Sequence, residues 1–136
     1  MLLVLNGPVI EAGESESDGI DCSAGQLVRI TMPSGPWDGD APLTLLFSSD
    51  GLFFNEMYNL DGFPVKVNVV VPGSGVIIPE HVGRAVAWLK LRSGHEYQPV
   101  VQRHRQQFAV TILVPDGADV DAPSGAGAGS ERQWPR

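Results

Sequence analysis

A chain of 136 residues, 43% apolar and 18% charged, suits one domain with a packed core and lies outside the class that stays disordered. Its net charge of −7 lacks the basic footprint that holds a phosphate backbone, so nucleic acid is not an expected partner. Sixteen glycines and eleven prolines, together about a fifth of the chain, disfavour long helices and favour short strands joined by turns.

In chain order, the first element is the apolar run Leu2, Leu3, Val4 and Leu5, too short and too soon followed by Gly7 and Pro8 to serve as a signal peptide. Burying it removes apolar surface worth about 25 cal/mol per Å² from water, so it adds a strand either to this core or to a neighbour's sheet. Leu27 to Met32 alternates, with Val28, Ile30 and Met32 on one face and Leu27, Arg29 and Thr31 on the other. Leu43 to Ser49 repeats the device, and Asp50-Gly51 supplies a tight hairpin into a returning strand, Phe53 to Tyr58. Asp61-Gly62 is a second such turn. It leads into Phe63 to Val71, where the period-2 stripe Val65, Val67, Val69, Val71 makes the clearest strand signal of the chain.

Pro72-Gly73-Ser74-Gly75 ends that strand, Val76 to Ile78 starts another, and Pro79 stops it. Glu80 to Leu91 fits both a helical and an alternating period; a turn over 80–84 followed by a strand suits its surroundings, with Ser93-Gly94 ending the run. Phe108 to Val114 closes the fold, with Phe108, Val110, Ile112 and Val114 on one face. The pattern is that of an all-β, antiparallel sandwich or barrel over residues 1–115. Residues 116–136, rich in Gly, Ala, Ser and Pro and acidic, form a flexible tail, either a solvated end or an arm that orders on a partner through Trp134.

Charge is unevenly placed. Residues 1–61 hold ten acids against one base, Arg29, and residues 62–115 hold six bases against two acids. Such halves either face each other across one fold or orient docking onto a neighbour. Cys22 is the only cysteine, which rules out an intrachain disulfide; it reads as a small buried filler or an intersubunit bridge. No apolar stretch approaches the roughly 18 residues of a membrane helix, so no membrane contact is expected.

Motifs for chemistry are lacking. His81, His95 and His104 show no metal-ligand spacing, Pro72-Gly73-Ser74-Gly75 leads into a strand rather than a nucleophile elbow, and no glycine-rich loop opens a helix. The acids Glu11, Glu14, Glu16, Asp18 and Asp21, with Asp38 and Asp40, make oxygen-rich loops that match no defined calcium motif and read as solvated edges. The expectation is a protein without catalytic residues, metal or cofactor. Trp88 reads as core or as a sugar-stacking platform, and the loop residue Trp37 as a contact anchor or a lid over the open end of the sandwich.

Ile10-Glu-Ala-Gly-Glu-Ser, Leu27-Val-Arg-Ile-Thr-Met-Pro, Ala41-Pro-Leu-Thr-Leu, Phe47-Ser-Ser-Asp-Gly, Leu91-Arg-Ser-Gly and Gln98-Pro-Val-Val-Gln together resemble small β-sandwich structural proteins of tailed phages and prophages, of the capsid decoration or head-fibre kind. The likeness covers roughly residues 9–114. It implies a jelly-roll-like fold, no catalysis, location in the virion after synthesis in the host cytoplasm, and assembly on the major capsid protein or other virion subunits as a homodimer or homotrimer. Expected partner contacts are Leu2, Leu3, Val4 and Leu5, Trp37, the cluster Arg103, His104 and Arg105, and Trp134. Ser-x-Asp-Gly-x-x-Phe, here Ser48 to Phe54, also occurs in jelly-roll carbohydrate-binding domains, so a sugar-binding adsorption module is the alternative.

Overall fold

The computed structural model describes residues 1–116, and Trp134 with the remainder of the tail lies outside them. The elements are β1 (Leu2–Ile10), β2 (Ile20–Asp21), β3 (Gln26–Thr31), β4 (Leu43–Ser48), β5 (Asn55–Glu56), β6 (Lys66–Val67), β7 (Gly75–Ile77), α1 (Glu80–Gly83), β8 (Trp88–His95), β9 (Gln98–Pro99) and β10 (Gln106–Leu113). They make an all-β sandwich of two antiparallel sheets. One has the order β1-β10-β3-β7; the other has the order β2-β8-β4-β5, with β6 also on β4 and β9 on β8.

The core lies between the sheets. Phe108, Val110 and Ile112 of β10 face Leu43, Leu45 and Phe47 of β4 and Leu89 and Leu91 of β8, all essentially removed from water. Each set is the apolar side of a period-2 strand; β4 and β10 read cleanly from sequence, and β8 settles the two-way pattern of 80–91 as a turn followed by a strand. Leu27 departs from the expected alternation. Opposite the consecutive residues Thr111 and Ile112 stand Arg29 and Leu27, so Val28 is the extra residue of a β-bulge. One inserted residue reverses the facing of everything before it, and Leu27 joins Ile30 and Met32 in the core.

Three further expectations are corrected. Ser93-Gly94 does not end β8: Gly94 takes φ 91°, a left-handed value that glycine tolerates, and the strand continues to His95 and pairs with β9. A Cβ at Gly94 would collide with the carbonyl oxygen of Gln98 and lie 2.8 Å from the Val100 amide, so the close return of β9 needs glycine here. The two strands expected at 53–58 and 63–71 shrink to the two-residue β5 and β6. These do not stand side by side as a hairpin; both lie along the same edge of β4, end to end, with Phe47 opposite Asn55 and Leu43 opposite Val67. The residues between them leave the edge as a finger, closed where the Val65 amide donates to the Met57 carbonyl and where Tyr58 bridges Pro64.

The valine stripe fails as a strand because its partner runs out. Leu43 opens β4 directly after Pro42, which carries no N–H, so nothing remains for residues 68–71 to pair with. The chain instead crosses to the other sheet and enters β7, where the Met32 amide donates to the Ser74 carbonyl. Asp50-Gly51 also joins no tight hairpin, because the paired residues nearest to it are Phe47 and Asn55. The expected turn at 80–84 is the single helical turn α1, and of the two homes open to Leu2–Leu5 the chain takes its own sheet, β1 pairing with β10 from Leu2 to Ile10.

Candidate functional site

The two flanks where the chain passes between sheets differ in chemistry. Between β1 and β2, residues 11–19 are tied to both sheets by the backbone: Asp18 donates to the Val9 carbonyl, Ser17 to Leu91, Ser93 to Ser15 and Gln102 to Glu14. The Asp18 carboxylate accepts from the Val9 amide at 2.9 Å. Between β6 and β7 the crossing segment 68–74 leaves Val69 and Val71 in water, and the neighbouring edges expose Tyr58, Leu60 and Phe63 of the finger and Ile77 of β7. Leu60 is fully exposed at 109% and Ile77 is 84% exposed, whereas most large apolar side chains of the sandwich are covered. Between these edges lies a groove of about 720 Å³ floored by Leu45, Val65, Val76, Ile78 and Val82, with Lys66 and His81 on its walls.

Most of the ionisable groups that sequence pattern singled out are engaged within the chain. Lys90 pairs with Glu16 at 3.5 Å, Arg92 with Glu56 at 2.7 Å, Arg103 with Asp38 at 2.9 Å and Arg105 with Glu11 at 3.4 Å. Each pair joins a base of the basic middle to an acid of the acidic first part, so the charge-divided halves face each other across one fold. Asp21 accepts from the backbone and hydroxyl of Ser23. The acidic cluster is therefore dispersed, and among the described residues no three His, Cys, Asp or Glu side chains converge on a metal-sized site.

Arg103, expected at a partner surface, grips Asp38 through both its side chain and its backbone amide, and these bonds hold the Asp38 carboxyl below its usual range and raise the Arg103 guanidinium. His104 is exposed beside it. Trp37 acts as the lid of this end: its ring stands edge-on to Phe108 at 6.0 Å and its indole N–H donates to the Ala41 carbonyl at 2.8 Å. Below it lie two buried amides that sequence pattern did not signal. Gln102 accepts from the Asp38 amide and donates to the Asp38 carbonyl and to Ser93, while Gln106 donates to the Pro36 carbonyl. Of the N-terminal run, Leu3 and Leu5 pack on the core, and Leu2 and Val4 point outward from the edge strand.

Trp88 is half-buried on the outer side of β8 against the Asp50-Gly51 turn, where a Cβ on Gly51 would lie 2.8 Å from the indole. Backbone amides of Leu52 and Phe53 keep the Asp50 carboxyl low. Beyond it is a polar hollow of about 280 Å³ lined by Glu16, Phe54, Asn55, Glu56, Arg92 and Glu96, with the Lys90 ammonium 4.7 Å above the Phe54 ring. Arg92 is buried there with its Nε unpartnered. Cys22 is fully buried, and that burial, reinforced by Asp21, pushes its thiol up to about 12, so it stays protonated and out of reach of another chain.

The residues of the open flank were missed as a surface because their alternation reads as an ordinary half-buried strand. The available signal was their density: eight exposed apolar side chains fall between Leu52 and Ile77. Comparison with known proteins finds no matching family model, no matching curated protein and no matching solved structure.

Proposed function

We propose that this chain is a non-enzymatic structural module of a tailed-phage particle, a decoration or cement protein that docks on the major capsid lattice through surface alone. The observation that supports this reading is the open apolar flank: exposed leucine, valine, isoleucine and aromatic side chains around a groove are costly in water and typical of a surface that another protein covers. The test is to add the purified protein to capsids lacking it. Saturable binding at a fixed ratio to the lattice subunit is the expected result, and an absence of binding overturns the reading.

The alternative is a carbohydrate-binding adsorption module. The hollow around Arg92 favours it, since it sets charged and amide groups beside an aromatic ring. A glycan array showing one strong signal, lost in Phe54→Ala or Arg92→Ala, would carry that reading instead.

A further inference from the structure

We propose that the open flank is closed by the same flank of a second copy of this chain, in a two-fold dimer. This rests on reading the flank as an assembly surface and names its occupant, a second copy of the chain, so that contact with the capsid lattice falls to the remaining surface of the dimer. Three observations argue for a copy of the chain itself. Tyr58, Leu60, Phe63, Val69, Val71 and Ile77, each 53% exposed or more, gather six large apolar side chains on one flank, the apolar centre around which a specific interface is built.

Charge is the second. A molecule at −7 repels its own copies over most of its surface, yet from Met57 to Pro79 the only charged residues are Asp61 and Lys66. Neither has an ion-pair partner among the described residues, and they are opposite in sign. A two-fold axis sets a surface against itself, so a nearly neutral face with one acid and one base is self-complementary where the rest of the molecule is not.

Shape is the third. The finger carries Leu60 beyond the edge of its sheet, and the groove floored by Leu45, Val76 and Ile78 lies beside its base. Reciprocal contact places the Leu60 side chain of each copy in the groove of the other, which buries projection and hollow in one step.

The test is the mass of the full chain by sedimentation equilibrium, from low to several hundred micromolar, at physiological and at molar salt. Twice 14.6 kDa is expected, and the dimer should survive molar salt because apolar contact holds it. Leu60→Asp and Ile77→Asp, both at exposed positions, should each weaken the dimer about tenfold or more, with the unfolding midpoint and circular dichroism confirming an intact fold. Leu60→Ser serves should the aspartate disturb the finger. Val101→Asp, an exposed position beside the stitched residues 11–19, should leave the dimer unchanged. A monomer at the highest concentration, or a dimer insensitive to the flank variants, overturns the inference. A monomer that still binds the capsid lattice would sink the dimer and leave the functional reading standing, and a dimer that ignores the lattice would do the reverse.

Discussion

The two flanks of this sandwich solve the same geometric problem with opposite chemistry. Each needs a segment that leaves one sheet and joins the other, which exposes backbone groups at two sheet edges. On the β1–β2 side, residues 11–19 place amides and carbonyls against Val9, Leu91, Ser93 and Gln102, and Lys90 and Arg105 reach Glu16 and Glu11. On the β6–β7 side, residues 68–74 supply valines to the solvent and leave the outer edge of β7 unpaired. A fold held mainly by its core and its stitched side can keep the other side uncommitted, which is where an assembly surface costs least in stability.

If that division is right, the largest losses come from polar groups at the closed parts. Gln102→Ala would strand the Asp38 amide and carbonyl and the Ser93 hydroxyl around an emptied buried site, and should lower stability by about 3 kcal/mol or more, or roughly 10 °C in Tm. A loss under 1 kcal/mol in urea unfolding would show that this end is not a pinned part of the fold. Next comes Glu56→Ala. Arg92 and Glu56 retain only 11% and 12% side-chain exposure, and the Arg92 Nε is already unpartnered, so removing the carboxylate should cost about 2–3 kcal/mol. Replacing both together, as Glu56→Leu with Arg92→Met, should recover most of that loss, because no charge is then left buried alone; a double variant as weak as the single one would contradict the account.

How much of this was legible in sequence depends on whether a residue's fate is set by its own segment or by a distant one. Phe108, Val110 and Ile112 alternate within a long strand whose neighbours are long too, and their burial follows from period alone. Leu27 faces inward only because β10 skips Val28, and that register belongs to the pair of strands. The valines 65–71 carry a stronger pattern than Leu27 to Met32 yet lose their ladder because β4 begins at Leu43, more than twenty residues earlier in the chain. Gln102 and Gln106 gave no signal, since an amide's burial depends on which backbone groups need partners, here those of Pro36 and Asp38. The cross-fold ion pairs were half legible: the segregation of charge showed that the halves could meet, and the topology shows which residues do.

A smaller effect with a definite pH signature comes from Arg103→Ala. In the folded protein the Asp38 carboxyl sits below its ordinary value of 3.8, so its bonds to Arg103 stabilise the fold above that pH and lose their effect as pH falls through the lowered value. The gap in stability between the native chain and Arg103→Ala should therefore be steady from neutral pH to about 5 and close below about 4. Thermal unfolding across that range measures it. A gap that stayed constant as pH fell through this range would mean that Asp38 gains nothing from Arg103.

The smallest expected change is the sharpest test of the contrast between flanks. Leu60→Ser and Ile77→Ser remove side chains that already stand in water, so with the chain dilute enough to be monomeric each should shift stability by no more than about 0.5 kcal/mol. Leu5→Ala, on the stitched side, removes a side chain packed against the core and should cost about 1–2 kcal/mol, less than a fully buried leucine because Leu5 is only partly covered. Chemical unfolding of the three variants side by side decides the matter. Equal losses would mean that the exposed valines and leucines of the β6–β7 side already support the folded monomer, and the surface would then have no spare apolar contact to give to another chain.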